Sequence, residues 1–378
     1  MAFLRNDAIN RVNLHSGVQA VAQSGGGVFF VVVLVRFGIA IPFALLALAA
    51  IMAARFALRP LILPLAIRFG LKPLLIAGTI GTAAQYAMLP QVHGIGVPLA
   101  VLIGVSALAD IFYWPVYNAY FASIGDAEHR GHQIGARESL VAVVGILAPL
   151  LGAWALVTLG ANAMFAGVAA IQLLAVLPLL GAPNVAVKVS APGAFRAARL
   201  GATLAAIDGW FDSCFIFVWQ IALFVSLGSS FAAYGGAMAL AGLVGAVCGP
   251  LLGRHIDGGH GRRAVIIAYS ALTAIVLLRA ASLGSPWMAV GANALGALLG
   301  TLMLPAEIAN YNLAKASPCP MRFHLATEGG WDVGCFCATL IAAVLAAGGV
   351  SLSLVLLVGL PPIALAATLL RRYYAVPA

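Results

Sequence analysis

Charged residues are scarce in this chain of 378 residues, making up only 8% of it, while 63% of the residues are hydrophobic. Soluble globular chains carry about 25% charged residues, so this chain lacks the side chains that would cover a water-facing surface. The mean hydropathy of +1.06 agrees with that deficit. The composition excludes a soluble enzyme and predicts an all-α membrane protein, because apolar helices satisfy their own backbone hydrogen bonds in lipid.

Motifs for covalent chemistry and cofactor binding are also absent. The sequence has no glycine-rich phosphate loop with its lysine, and no Ser/His/Asp or metal-ligand spacing. Its five cysteines are scattered and form neither a disulfide framework nor a spaced metal set. We therefore expect no enzyme activity, no cofactor and no metal. The net charge is +9, and the basic residues lie in short loops between apolar segments. Membrane topology explains this placement better than nucleic-acid binding does.

Apolar segments occupy most of the chain. A membrane-spanning helix needs about 20 apolar residues, and breaks at Gly, Pro and charge clusters divide the sequence into twelve such segments. The predicted spans are 12–35, 39–66, 73–91, 97–120, 138–159, 162–182, 201–226, 231–253, 264–283, 287–312, 328–348 and 350–370. Residues 183–200, rich in Pro, Gly and basic residues, are predicted to link an N-terminal lobe, 1–182, to a C-terminal lobe, 201–378.

Lysine and arginine fall almost entirely on one side of this predicted bundle. With the N-terminus inside, eighteen of the twenty basic residues lie toward the cytoplasm, and only Arg36 and Arg279 lie near the outer face. Positive loops are retained on the cytoplasmic side of membranes. Both termini are therefore predicted to be cytoplasmic, in an integral multi-pass protein of the plasma (inner) membrane.

The two halves of the sequence resemble each other at a nearly constant offset. Pro64 and Arg68 recur as Pro250 and Arg254, a shift of 186 residues, and other polar residues recur at shifts near 190. Parallel repeats of six spans are typical of two-lobed transporters whose site lies between the lobes. The repeat therefore predicts two pseudo-symmetric six-helix lobes.

A loop motif carries a family resemblance. The stretch 249–263 has Gly253, Arg254, Asp257 and Arg262 in the order Gly-x-x-x-Gly-Arg-x-x-Asp, followed by Gly-Arg-Arg. This order is similar to the basic loop motif of the major facilitator superfamily. The resemblance implies twelve transmembrane helices in two lobes, alternating access, and a cytoplasmic gating role for this loop. A positive-inside loop without a gating role remains the alternative.

Two further features follow from that resemblance. Gly145, Pro149 and Gly152 on the fifth span are similar to part of a Gly-Pro motif of proton-coupled exporters in the superfamily, which favours export, although a plain kink explains them equally. The resemblance also implies that the first, fourth, seventh and tenth spans line the central cavity. Asp110, Asp208 and Glu307 lie on three of these spans.

Acidic residues inside the spans are the candidates for proton coupling. A charged group inside the bilayer costs about 2.5–3.5 kcal/mol even on the gentler insertion scale, so it normally faces a partner or a water-filled cavity. Asp208 and Asp212 are four residues apart and share one helix face. We expect this pair, and Asp110, to bind the coupling protons. The alternative is a pair hydrogen-bonded to neighbouring helices.

Polar and aromatic side chains on the lining spans are predicted to bind an amphipathic organic substrate. Helix packing is the alternative for the aromatic residues. The predicted substrate cavity comprises His15, Gln19, Gln23, Tyr113, Trp114, Tyr117, Asn118, Trp210, Glu307 and Asn310.

Charges on the second and eleventh spans form a candidate gate. Arg55 and Arg59 lie four residues apart, as do Glu328 and Asp332. These two spans face each other across the lobe interface in the superfamily, so the pairs are predicted to meet at the cytoplasmic side. Independent snorkelling of each charge to the headgroups is the alternative.

These observations together predict a secondary active transporter, a proton antiporter that exports a small organic molecule. An importer or facilitator of a metabolite, and a membrane sensor or scaffold, remain open. The expected partners are the substrate, protons and the lipid bilayer, with no nucleic acid, and the protein is expected to be a monomer.

Overall fold

The computed structural model describes residues 6–124, 130–256 and 261–375, with side chains outside 130–140 and 249–256. Every regular element in these ranges is helical. Ten of the described helical segments are long and apolar enough to cross a membrane. The predicted all-α, multi-pass membrane protein is confirmed at this level, and the count of twelve spans stays a prediction.

The first half of the chain contains five of these ten candidate spans. Its helices are α1 (Asp7–Gly25), α2 (Phe30–Arg36), α3 (Ile41–Leu58), α4 (Ile62–Phe69), α5 (Leu71–Met88), α6 (Val97–Ile124), α7 (Arg130–Thr158), α8 (Gly160–Leu174) and α9 (Val176–Leu180). Helices α1 and α2 together form one span, as do α3 with α4 and α8 with α9.

The second half repeats this pattern with more interruptions. Its helices are α10 (Ala194–Ala197), α11 (Arg199–Asp212), α12 (Trp219–Ser226), α13 (Phe231–Ile256), α14 (Gly261–Ser282), α15 (Pro286–Gly296), α16 (Leu299–Leu302), α17 (Leu304–Ala316), α18 (Pro320–Ala347), α19 (Leu352–Leu356) and α20 (Leu360–Tyr373). A π-helix, Ser213–Val218, joins α11 to α12 within one span.

Two helices begin before the predicted boundaries, each for a local reason at its first turn. The first span begins at Asp7 instead of residue 12, since the Asn6 side chain accepts a hydrogen bond from Ile9 N at 3.1 Å and caps the helix. The eleventh begins at Pro320 instead of residue 328, with proline in the first turn, where it is tolerated. The helical ends therefore include the charged residues that the sequence analysis placed in loops.

The predicted tenth span, 287–312, is not one continuous helix. The structure divides it into α15, α16 and α17. Pro305 lies in the first turn of α17, and because proline lacks a backbone N–H and clashes with the preceding turn, a helix does not run through it undisturbed. The break leaves Glu307 and Asn310 near the start of α17.

Close packing joins the two halves along two pairs of helices, α3 with α18 and α7 with α13. In the second pair, a Cβ added at Gly242 would lie 2.5 Å from Gly145 O. A Cβ at Gly235 would overlap Ala153 and lie 2.8 Å from Pro149 O. These glycines let the two backbones touch, as small residues do between membrane helices.

The segment after α9 is held against the bundle by hydrogen bonds. Arg322 on α18 donates to Lys188 O at 2.9 Å and to Val189 O at 2.8 Å. Lys72 at the start of α5 donates to Ala182 O at 3.0 Å. The connection between the halves therefore contacts helices of both halves rather than running free.

Candidate functional site

A cavity of about 1130 Å³ lies between the two halves of the chain. Helices α1, α3, α5 and α6 of the first half line it together with α11, α17 and α18 of the second. It reaches Ala122 near the end of α6, and Ser317 and Pro320 at the turn between α17 and α18. It therefore opens toward the end of the bundle at which α1 begins.

Most of the polar residues predicted from the sequence do line this cavity. They are Gln19, Gln23, Arg55, Asp110, Tyr113, Trp114, Asn118, Asp208, Glu307, Asn310 and Glu328. The lining combines amides from both halves with aromatic rings and carboxylates.

Four predicted site residues lie away from the lining. His15 is fully buried, donating from Nδ1 to Ala175 O at 2.7 Å and accepting at Nε2 from the Tyr113 hydroxyl at 3.0 Å. The hydroxyl of Tyr117 lies 2.6 Å from Ser16 Oγ, and Trp210 donates to Val358 O at 3.0 Å. These side chains hold helices together, so the expectation that they face substrate is corrected. The fourth, Asp212, bonds to Trp331, as described below.

A buried ion-pair cluster joins α3 to α18. Arg55 donates to Asp110 Oδ2 at 3.1 Å and lies 2.9 Å from Asp332 Oδ1 and 3.6 Å from Glu328 Oε2. Arg59 pairs with the other oxygen of Asp332. Asp332 is fully buried, and both arginines are 4% exposed. The structure thus brings the four predicted gate residues together and adds Asp110, which the sequence analysis had assigned to proton binding.

This ion cluster sets two guanidinium groups against three carboxylates. Asp332 is the only one of the three acids that contacts both arginines within the described residues. Two side chains complete the surroundings of Glu328 and Arg55. Asn118 donates to Glu328 at 3.1 Å, and Arg55 lies over the ring of Trp331, 5.2 Å from its centroid. Asn118 thus links α6 to the cluster.

Asp208 and Asp212 differ in their surroundings although they are one turn apart. Asp212 accepts a hydrogen bond from Trp331 Nε1 at 3.1 Å and does not line the cavity. Asp208 lines the cavity, and its Oδ1 is buried without a hydrogen-bond partner. Asp208 is therefore the more accessible of the two acids to a ligand in the cavity, and the role of both acids in proton binding stays a prediction.

Aromatic side chains close the bundle at the end opposite the cavity mouth. Phe29 lies 5.6 Å from Tyr234 and 6.3 Å from Phe231, measured between ring centroids, and Phe224 lies 5.4 Å from Phe231. The Tyr234 hydroxyl donates to Val28 O at 3.0 Å across the two halves. This aromatic layer (Phe29, Phe224, Phe231 and Tyr234) separates the cavity from that end.

A second buried arginine lies against the π-helix that follows Asp212. Arg279 on α14 is 4% exposed and donates to Phe215 O at 2.5 Å. Its Cζ lies 3.8 Å from the centroid of the Phe215 ring and 4.5 Å from that of Trp219. The wider turn of a π-helix alters the backbone hydrogen bonds, and such segments are frequent at functional sites. Arg279, in the last turn of α14, therefore stabilises an irregular segment within the seventh span.

Gly296 provides the space that Arg279 occupies, which gives a testable prediction. A Cβ at Gly296 would overlap Arg279 Nη2 and lie 2.6 Å from its Cζ. We expect Gly296→Ala to lower the free energy of unfolding by about 1–3 kcal/mol, the usual cost of overpacking, measured by chemical unfolding in detergent micelles. Gly291→Ala on the same helix meets nothing within 4 Å and is the matched control. Equal stability of the two variants would contradict this role of Gly296.

The predicted gating loop falls mostly outside the described residues. Asp257 is not described, nor are the side chains of Gly253 and Arg254, and Arg262 is exposed near the start of α14. The gating role of this loop stays a prediction.

The sequence analysis did not predict several residues of the cavity lining, because most of them are residue types that are common in membrane helices. Trp331 contacts both Arg55 and Asp212, yet a lone tryptophan gives no signal. Gln85 and Gln220 could have been found, since polar amides are uncommon in spans. The remaining missed polar or aromatic residues of the lining are Phe30, Thr82, Tyr86, Ser106, Phe217, Tyr311, Lys315, Ser317, Phe323, His324 and Thr327.

Comparisons with known proteins show the fold. The sequence matches no family model and no curated protein. The structure is similar to the human organic anion transporter MFSD10 (TETRAN), with a TM-score of 0.65 and 16% identity, covering 96% of this chain and 99% of that one. It is also similar to an auto-inhibited POT family peptide transporter, with a TM-score of 0.65 and 14% identity, covering 97% and 96% of the two chains.

Both similar structures are of the major facilitator type. The chain has the major facilitator fold. The resemblance stated from the loop motif is thus confirmed for the fold, and the similarity covers nearly the whole of this chain and of both similar chains. In this fold, the cavity between the halves is the candidate functional site.

Proposed function

We propose that this protein is a secondary active transporter that works by alternating access and exports a small organic molecule in exchange for protons. The observation that carries the proposal is the cavity between the halves. It is lined by polar side chains from both halves, reaches one end of the bundle, and is closed at the other by the aromatic layer. A site with access from one side at a time is what alternating access requires.

The size and lining of the cavity favour an organic substrate. Pockets for drug-sized ligands occupy about 300–1,000 Å³, and this cavity of about 1130 Å³ is slightly larger. Trp114 and Trp331 offer aromatic faces, while Gln19 and Gln23 offer groups that both donate and accept hydrogen bonds. The two similar structures are of an organic anion transporter and a peptide transporter, and both classes of substrate are organic.

Coupling to protons is proposed to depend on Asp208, with Asp212 and Asp110 as further candidates. Asp208 lines the cavity and lacks an ion-pair partner among the described residues. Asp110 is paired with Arg55, so its protonation would also weaken the ion cluster. Protonation at these positions would therefore change both the charge of the cavity and the contact between the halves.

The gate is proposed to use the ion cluster of Arg55, Arg59, Glu328 and Asp332, together with the basic loop of Gly253, Arg254, Asp257 and Arg262. The ion cluster is formed while the cavity opens toward the end at which α1 begins, so closing that end requires further contacts, for which the basic loop is the candidate. Buried pairs carry a desolvation cost that offsets part of their attraction, which suits a contact that forms and breaks. The aromatic layer would open when the halves rock the other way. Export is favoured by the Gly145–Pro149–Gly152 stretch, which packs against α13.

The excess of basic residues on one side supports an orientation with cytoplasmic termini in the plasma (inner) membrane, and the proposal requires only a monomer. Two other functions are kept as alternatives. An importer or facilitator would use the same cavity with a different coupling, and a sensor or scaffold would bind a ligand without moving it. Flux that survives collapse of the proton gradient identifies a facilitator, and binding without flux identifies a sensor.

Transport by purified protein in sealed vesicles tests the proposal. With an imposed pH gradient, a panel of aromatic amines, aromatic carboxylates and dipeptides should include a compound that wild-type protein accumulates and that an uncoupler releases. Asp208→Asn is expected to lower gradient-driven accumulation at least tenfold, since it removes the protonatable group (a tenfold change is about 1.4 kcal/mol).

Asp7→Asn is the matched control, because Asp7 is an exposed acid that pairs only with Arg11 among the described residues. Gradient-driven accumulation is also measured for the Asp212→Asn variant. Normal accumulation by both Asp208→Asn and Asp212→Asn across roughly pH 5.5 to 8, where a buried carboxylate titrates, would overturn the assignment of proton coupling.

A further inference from the structure

A second, much smaller chamber lies directly behind Asp208. Its volume is about 20 Å³, and by this measure roughly 10–15 Å³ is enough to hold one water molecule. Asp208 and Asn310 line both this chamber and the main cavity, while Tyr269 lines the chamber alone. The chamber therefore has room for one particle of the size of a water molecule, next to the main cavity.

Three residues that line this chamber carry a buried oxygen with no hydrogen-bond partner among the described residues: Asp208 at Oδ1, Asn310 at Oδ1 and Tyr269 at its hydroxyl. They come from three different helices, α11, α17 and α14. Tyr269 is 4% exposed, so its hydroxyl is out of reach of bulk water. Leaving buried polar groups unpaired costs free energy, and leaving a carboxylate unpaired costs most. Three such atoms in one small space indicate a site that a ligand completes.

The chemistry of the three atoms restricts that ligand. All three are oxygens, two of which only accept hydrogen bonds, and the rest of the described chamber lining is apolar. No lysine, arginine or histidine is among the described residues that line it. The ligand must therefore bring positive charge or hydrogen-bond donors, and oxygen ligands suit a small hard cation. An organic ammonium group with its substituents exceeds the volume available.

We infer that Asp208, Asn310 and Tyr269 form a binding site for one small cation, either Na⁺ or a proton carried by a water molecule, and that this cation drives transport. The inference rests on the proposed function in one respect, since it names the ion that couples to the main cavity. It differs from the sequence-based assignment by placing Asp212 outside the site and by adding Tyr269 and Asn310 as positioning residues.

The shared lining gives a physical route for coupling. Binding of the cation cancels the charge of Asp208, and because Asp208 also faces the main cavity, the substrate then meets a neutral group there. The titratable groups that act on Asp208 are Asp212 on its own helix, Glu307 on α17 and Tyr269 on α14. On α18, His324 and Glu328 line the main cavity together with Asp208.

Binding to purified protein tests the site without any transport measurement. The probes are radioactive Na⁺ at alkaline pH, where protons compete least, and thermal unfolding as a function of pH in Na⁺-free buffer. A ligand that binds only the folded state raises its stability. The variants are Asp208→Asn, Tyr269→Phe and Asn310→Leu, with Tyr120→Phe as the control. Tyr120 is buried in the other half and donates to Pro183 O.

Two results would support the site and identify its ion. Saturable Na⁺ binding that is lost in Asp208→Asn, and at least tenfold weaker in Tyr269→Phe and Asn310→Leu but not in Tyr120→Phe, identifies Na⁺. The absence of Na⁺ binding, with a pH-dependent unfolding temperature that depends on the same three residues, identifies the proton.

Two results would overturn it. Na⁺ binding or pH dependence that persists unchanged in Tyr269→Phe and Asn310→Leu would mean that Asp208 acts alone. The absence of both in the wild type would mean that the chamber takes no cation. Because these measurements use binding alone, a failure of the site is separate from a failure to transport: vesicles in which no compound is accumulated would contradict the proposed function and leave the binding result standing.

Discussion

Replacing Asp332 with alanine is expected to lower the free energy of unfolding by about 3–5 kcal/mol, the cost of breaking a buried ion pair by removing one partner. Asp332 is fully buried and contacts both Arg55 and Arg59. Without it, Arg59 loses its only carboxylate among the described residues, and Arg55 keeps Asp110 and Glu328. The measurement is chemical unfolding in detergent micelles, with expression and purity matched.

Glu328→Gln is the control for this prediction. Glu328 lies 3.6 Å from Arg55 and its side chain is 19% exposed, so water can replace part of the interaction. We expect a loss of at most about 1 kcal/mol, as for a partly solvated pair. Equal losses in Asp332→Ala and Glu328→Gln would show that the cluster is not organised around Asp332.

Replacing Gly235 with valine is expected to move the protein away from the arrangement with the aromatic layer closed. A side chain at this position would overlap Ala153 and press on Pro149 O, which lies 2.8 Å from the added Cβ. The backbones of α7 and α13 would separate, and Tyr234, the preceding residue, would be drawn from its bond to Val28. We expect at least a tenfold loss of transport, because the closed arrangement is one of the two states of the cycle (a tenfold shift is about 1.4 kcal/mol).

Gly236→Val provides the matched control, since a Cβ at Gly236 meets nothing within 4 Å. Both variants carry the same cost in helix propensity, so a difference between them reports the contact alone. Transport that is equal in the two variants would mean that the α7–α13 contact does not limit the cycle.

The composition and the repeat predicted the membrane class and the position of most helices. Apolar segments and positive loops carry that information because the bilayer restricts the possible structures. The pairing of Arg55 and Arg59 with Glu328 and Asp332 could also be proposed from the sequence, since charges at steps of four share one helix face.

The detailed surroundings of the acids depend on packing between helices and could not be predicted from the sequence. The seventh span continues as a π-helix after Asp212, and its register decides which side chains face the cavity. Asp212 bonds to Trp331 and Asp110 pairs with Arg55, contacts between residues more than fifty positions apart. Tyr269 looks like an ordinary aromatic residue in its span, and only the shared chamber connects it to Asp208.

Exchanging the charges of Arg55 and Asp332 is not a simple test of their pairing. Exchanging Arg55 and Asp332 would restore a simple pair, but the structure surrounds Arg55 with three carboxylates and Asp332 with two arginines. A glutamate at position 55 would face Asp110 and Glu328, and an arginine at 332 would face Arg59. The double reversal is therefore expected to remain impaired even though the cluster exists.

Access to Gln23 from the two sides of the membrane tests the central claim of alternating access most directly. Gln23 is an exposed residue of the cavity lining, and the measurement is the reaction of a cysteine at this position with an impermeant thiol reagent, in a background lacking native cysteines. We predict reaction from the side at which α1 begins in the wild type, and reaction from the opposite side after Gly235→Val. Reaction from both sides is expected wherever both states are populated, and reaction from the same single side in both proteins would contradict alternating access.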